Sequence, residues 1–279
     1  MACPANPAGR PDTPAAKTAN PAGRPDAGRR IALLTEYDGT AFNGWQAQAR
    51  GRTVQQTLLG ALAELTGEAG LVLTGSSRTD AGVHARGHVS HFTTRCRIPC
   101  SALPLALNSL LPADVSVRGA AEAAPDFHAQ YGARGKVYTY SYWPQRCRPA
   151  LYRNRTCHVP GPFDLASMRQ ALPYFLGRRD FRAFMDSGSC ERNPVRELQA
   201  IALDARNGEV VLTLQGDGFL YHMVRIIAGT LLLVAQGKIE PQAVAAIIDS
   251  RDRRQAGKTM PPQGLCLEQV LYEPPLFTD

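Results

Sequence analysis

The stretch Ser76-Ser77-Arg78-Thr79-Asp80-Ala81-Gly82-Val83-His84-Ala85 concentrates residues that can do chemistry. It is polar and turn-forming, and it lies between two predicted strands. Gly82 permits a backbone conformation closed to other residues. Asp80 taken alone is an ordinary turn or cap residue. Its neighbours add a second reading, because an arginine stands two residues before it and a histidine four after it. A carboxylate held in a tight loop beside cations is a candidate nucleophile or base.

Arg225 is the second unusual position. It sits within Met223-Val224-Arg225-Ile226-Ile227, inside a predicted apolar helix. An arginine either snorkels along its stem to solvent or, if buried, needs a carboxylate partner. No acidic residue lies between Gly218 and Lys238. A partner must come from elsewhere, and Asp80 is a candidate. The strand Val137–Tyr142 puts Tyr138, Tyr140 and Tyr142 on one face by its period of two. That face either packs on a helix or offers a ring to stack on a base.

Basic clusters occur at Arg146–Arg155, at Arg178 and Arg179 with Arg182, and at Arg251–Arg254. All lie outside the predicted core elements, where they suit solvent or phosphate contact. His84, His88 and His91 are close in sequence but lack cysteine or acidic partners at metal spacing, so no zinc site is expected. Neither G-x-x-x-x-G-K-[ST] nor G-x-G-x-x-G occurs, so no cofactor is expected. The RNP pattern of RNA-recognition domains is also absent.

The whole chain has 279 residues, 44% apolar and 20% charged, with a formal net charge of +7. This is the composition of a folded protein with room for about two domains. The modest positive balance favours a polyanionic partner. Seven cysteines at irregular spacing, with no C-x-x-C and no visible secretory signal, predict a reduced cytoplasmic chain without a disulfide framework. The apolar run Phe219–Gln236 contains His222 and Arg225, so no membrane span is expected.

Residues 1–30 read as a disordered basic tail. The octapeptide Ala5–Asp12 recurs unchanged at Ala19–Asp26, and large apolar residues are missing from 2–29. From Ile31 the pattern changes. Strands are predicted at Ile31–Tyr37, Leu71–Thr74, Gly87–Thr93 and Asp114–Ala121, with helices from Thr53 to Gly67 and from Ser101 to Leu110. A second series follows: a strand at Lys136–Trp143, a helix from Asp164 to Phe175, a hairpin about Asn207-Gly208, helices at Phe219–Gln236 and Pro241–Ser250, and a strand at Leu265–Tyr272. Each series runs β-α-β-β-α-β, the second with one extra helix. The expected fold class is α+β, with two ferredoxin-like halves at 31–130 and 131–279. They would form a mainly antiparallel sheet with helices on one face and an RNA-binding cleft on the other.

Several runs together resemble the tRNA pseudouridine synthase A family. They are Tyr37–Gln46, Thr53-Val54-Gln55, Arg78–Ala85, Lys136–Tyr140, Asp180–Phe184, Phe219–Arg225 and Gly264-Leu265. They occur in the family's order and cover about residues 31–275. The resemblance implies an enzyme that isomerises uridine to pseudouridine at positions 38, 39 and 40 of the tRNA anticodon stem-loop. It also implies a homodimer that needs no cofactor. Asp80 matches the family's essential aspartate, and Tyr138 matches the tyrosine that packs on the target base. Arg225 matches the arginine that pairs with the aspartate, and Arg78 matches one tied to flipping the base out. One position departs: Ser77 stands where the family usually has glycine, and a side chain there costs about 1 kcal/mol or more if φ is positive. A non-catalytic tRNA-binding or tRNA-folding protein is the rival reading, and a plain structural protein is a third.

Overall fold

The computed structural model describes residues 28–188 and 192–277. The expected tail therefore lies outside the described residues up to residue 27. The first strand, β1 (Arg29–Tyr37), includes Arg29 and Arg30, paired with Thr94 and Thr93.

The first series comprises β1, α1 (Val54–Thr66), β2 (Thr74–Gly75), β3 (His84–Thr94), α2 (Leu103–Asn108) and β4 (Val115–Glu122). The second comprises β5 (Gly135–Trp143), β6 (Cys157–His158), α3 (Leu165–Ala171), β7 (Gly177–Asp180), β8 (Val195–Arg206), β9 (Glu209–Gly216), α4 (Met223–Ala235), α5 (Ala243–Ser250) and β10 (Leu265–Leu271). One large sheet takes in the strands in the order β4-β1-β3-β10-β5-β9-β8-β7, with β2 on β3 and β6 on β5. Its pairings are antiparallel except β3 with β10 and β5 with β6.

Local chemistry explains the ends of the elements. The Thr53 hydroxyl accepts from the Gln56 amide to start α1, and Gly67 at φ 70° closes it. The Asp164 carboxylate caps α3. That helix was predicted to reach Phe175, but it tightens at Leu172 into a 3-10 turn because Pro173 has no N–H to donate. Asn207 and Gly208 both have positive φ, as a tight hairpin between β8 and β9 requires. Helix α4 begins at Met223, not at Phe219, because His222 adopts φ 62° and breaks the helical path.

The strand β10 is the seam. It pairs with β3 through Cys266 and Leu267 opposite His84 and Ala85, and with β5 through Cys266 and Leu267 opposite Thr139 and Tyr138. The start of β3 and the middle of β5 are thus one strand apart. A single apolar core runs beneath the whole sheet and takes in residues of both series. Tyr140 and Tyr142 point into it, donating to the carbonyls of Pro261 and Ala228. The tyrosine face of β5 therefore packs on α4. Among the described residues no helix is long and apolar enough to cross a membrane.

Candidate active site

The loop before β3 is held from several directions. Half-buried Lys136 donates through Nζ to the Ser76 carbonyl at 2.9 Å, and His88 donates through Nε2 to the Ser77 carbonyl at 3.0 Å. The Thr79 carbonyl accepts from the Trp45 amide at 3.1 Å, while the Thr79 and Tyr37 hydroxyls share a bond of 2.8 Å. Trp45, fully buried, stacks on His88 with ring centres 3.7 Å apart. Gly44 has φ +88°, and a Cβ there would lie 2.5 Å from the Thr79 carbonyl oxygen. The run Tyr37–Gln46 thus clamps the Asp80 loop. Ser77 is not among the residues with positive φ, so it fits the loop without left-handed strain.

Asp80 emerges from this clamp toward the start of α4. Its Oδ2 lies 2.9 Å from Arg225 Nη1 and 3.3 Å from His222 Nε2. The Arg225 side chain is only 12% exposed, and its Nε donates to the Met260 carbonyl at 2.7 Å. It does not snorkel; it bridges the loop, the helix and the segment before β10. Two nitrogens of one guanidinium thus serve two acceptors in fixed directions, which an ammonium does not match.

His222 Nδ1 in turn lies 2.8 Å from Asp186 Oδ2. Asp186 also accepts from Arg253 Nε at 2.6 Å and from the Thr259 hydroxyl at 2.6 Å. Burial opposes the charge on Asp186, but the bonds from Thr259, His222 and Arg253 win and hold its carboxyl at about 2.

A small cleft of about 70 Å³ opens beside Asp80, lined by Arg78, Tyr138, Tyr221, His222 and Leu265 among others. Tyr138 is nearly buried and meets Phe219 edge-on at 5.1 Å. Burial pushes its hydroxyl up to about 12, so it is protonated at neutral pH. Arg78 is exposed at the rim and has no hydrogen bond or ion pair among the described residues. All four residues singled out in the sequence, Asp80, Arg225, Tyr138 and Arg78, therefore reach one neighbourhood.

The small cleft beside Asp80 opens on the helical side of the sheet. Tyr138 shares its face of β5 with Tyr140 and Tyr142, and that is the face α4 covers. The opposite face forms a larger groove of about 490 Å³ along Val137, Thr139 and Ser141. It presents Glu36, Asp38, Asp204, Glu209 and Glu268 against Arg86, Arg155 and Arg206. That excess of carboxylates suits a polyanion poorly.

The basic clusters divide. Arg253 is bound within the chain to Asp186, the Gly257 carbonyl and Thr259, so it supports the site rather than facing phosphate. Arg182 and Arg251 both approach Asp180, at 3.5 and 3.4 Å. Among the histidines near β3, His91 Nδ1 accepts from the Ala129 amide and His84 Nδ1 from the Gly39 amide. Each has a structural partner. Sequence reasoning assigned no part to His222, Asp186 or Lys136. His222 lies in the quoted run ending at Arg225 and Lys136 opens the run Lys136–Tyr140, which were the available signals; nothing local marks Asp186 as the partner of His222.

The family model described as tRNA pseudouridine synthase matches residues 33–132 and 171–273. The chain belongs to the tRNA pseudouridine synthase A family. A tRNA pseudouridine synthase A 2 of Clostridium perfringens is 45% identical over 244 residues, covering 88% of this chain and all of the relative. The tRNA pseudouridine synthases A of Caldicellulosiruptor bescii and Acetivibrio thermocellus are 44% and 46% identical over 244 residues, again covering 88% of this chain and all of each relative. As a member of the tRNA pseudouridine synthase A family the protein is an enzyme, an isomerase, and the loop Arg78–His84 with its clamp lies within the first matched segment.

Proposed function

We propose that the protein isomerises uridine to pseudouridine at positions 38, 39 and 40 of the tRNA anticodon stem-loop, with Asp80 as the catalytic carboxylate. The observation that carries this reading is the Asp80–Arg225 ion pair of 2.9 Å at the wall of a cleft that also contains Tyr138. A surface that merely binds RNA has no use for a carboxylate turned toward its ligand, since phosphate repels it.

The reaction breaks N1–C1′ of the uridine, turns the uracil, forms C5–C1′ and releases the C5 proton, while N1 gains one. The target must first leave the stacked loop, at about a few kcal/mol. Arg78 at the rim is placed to help hold the extruded nucleotide, and Tyr138 to pack on its base. Asp80 then acts on the sugar, either attacking C1′ or removing a ribose proton to give a glycal. Hydrolysis of a glycosidic bond needs two carboxylates, one of them to serve the leaving group or water. Here the base never departs, so one carboxylate suffices and no resident cofactor is called for. Arg225 keeps that carboxylate oriented.

The sheet is read as two ferredoxin-like halves, at 31–130 and 131–279, on the support of a shared strand order. The first half runs β4-β1-β3-β2 and the second β10-β5-β9-β8. Homodimer assembly and a cytoplasmic location belong to the same reading.

The test is tritium release from C5-labelled uridine in unmodified tRNA by the wild type and by Asp80→Asn. Release by the wild type alone, with tRNA binding retained in the variant, is expected. If neither protein releases tritium while both bind tRNA, the protein is a tRNA-binding or tRNA-folding factor.

A further inference from the structure

We propose that His222, anchored by Asp186, is a positioning residue for Asp80, and that it and Arg225 together occupy Oδ2 so that Oδ1 is the oxygen that acts on the substrate. This rests on the reading of Asp80 as the catalytic carboxylate.

Three observations carry it. Both contacts to the Asp80 carboxylate, from Arg225 Nη1 and His222 Nε2, go to Oδ2. Oδ1 makes no hydrogen bond among the described residues, and Asp80 lines the cleft. A carboxylate bonded by Arg225 at one oxygen, with His222 Nε2 3.3 Å from that same oxygen, is restricted about its terminal torsion, which is otherwise broad. The remaining oxygen then points where the protein puts it.

His222 itself is held in an unfavourable backbone state for that purpose. It has φ 62°, a conformation that residues with a Cβ avoid. Such outliers persist only where surrounding contacts enforce them. Here the enforcement is visible. The ring lies between Asp80 and Asp186, with one nitrogen 3.3 Å and the other 2.8 Å from a carboxylate oxygen. Tyr221 stacks on the ring at 3.7 Å, and Arg253 with Thr259 fixes Asp186 from behind. The same left-handed residue ends the approach to α4 and sets where Arg225, three residues on, projects. One backbone kink thus aims both groups that hold Oδ2.

The experiment measures kcat and KM for tritium release, tRNA affinity and thermal midpoint for His222→Ala, His222→Gln, Asp186→Asn and the double variant His222→Ala/Asp186→Asn, beside Asp80→Asn. His222→Ala is expected to lower kcat by about 10- to 100-fold, as a misplaced reacting group does, with KM changed little. His222→Gln, whose amide can still donate toward Asp80, should recover part of that loss. Asp186→Asn should lower kcat alone but add nothing in the His222→Ala background, since it acts through the ring. Wild-type kcat in His222→Ala beside an inactive Asp80→Asn overturns the positioning role. So do losses that simply add in the double variant. An active Asp80→Asn instead overturns the reading of Asp80 itself, which keeps the two failures apart.

Discussion

Arg225 and Asp80 stand 145 residues apart in the chain and 2.9 Å apart in space. The pair joins the loop before β3 to the first turn of α4. Its two side chains are 12% and 23% exposed, so it is neither a surface pair of little worth nor fully cut off from water.

Arg225→Leu should therefore leave a partly buried carboxylate without its main counter-charge and free to rotate. We expect kcat to fall by about 100-fold or more. Arg225→Lys should recover only part of it, because an ammonium cannot bond both Asp80 and the Met260 carbonyl in the guanidinium's geometry. Single-turnover tritium release is the measurement, and near-normal turnover in Arg225→Leu would show that the ion pair does not hold the carboxylate.

Lys136 lies beneath the loop with its ammonium on the Ser76 carbonyl. Burial, reinforced by the charge of Arg196, pushes its pKa down to about 8. The unfolded chain keeps that proton to about pH 10.4. Between the two values the unfolded state binds more protons, so this group makes stability rise with pH in that window. Below about 8 it is a burden on the fold. Lys136→Met should accordingly leave the thermal midpoint at pH 7 unchanged or raised, while kcat drops by about 10-fold as the loop loses a donor. A lower midpoint together with unchanged kcat would contradict both halves of this expectation.

Acid should loosen the same region. Burial pushes His88 down to about 3, against the opposing bond to the Ser77 carbonyl, and pushes His91 down to about 4. Both titrate near 6.5 when unfolded. Their neutral forms therefore contribute stability that is complete above about pH 6.5 and is lost as pH falls toward those folded values. His88 Nδ1 is buried without a partner, so a second proton there finds no acceptor. The thermal midpoint should fall steadily from pH 6.5 to 4, and replacing His91 by Asn should flatten part of the slope. A midpoint independent of pH over that range would rule the histidines out as the cause.

Much of this was legible in the residues. The strand at Ile31–Tyr37, the Thr53 cap, the Asn207-Gly208 turn and the Gly67 stop each express a local preference, and each appears where expected. The loop Arg78–His84 and the odd placement of Arg225 in an apolar run pointed to one neighbourhood. Less local matters were not legible. The extra turn given to α4 failed because the break at His222 is enforced by Asp80, Asp186 and Tyr221, which no window of sequence around it reveals. Arg253 read as a surface cation because its partner Asp186 lies 67 residues away.

Chain chemistry alone determined which side chains are exceptional: a carboxylate in a glycine-containing turn, a guanidinium in an apolar helix, and a strand with tyrosines on a single face. Those follow from short-range rules of polarity and period. Only the tertiary structure decided that β10 sets the start of β3 one strand from Tyr138, that the cleft lies on the helical side, and that one oxygen of Asp80 is held while the other is left open. The reason is that strand order and side-chain pairing depend on contacts between distant segments, whose closure is settled by packing of the whole core.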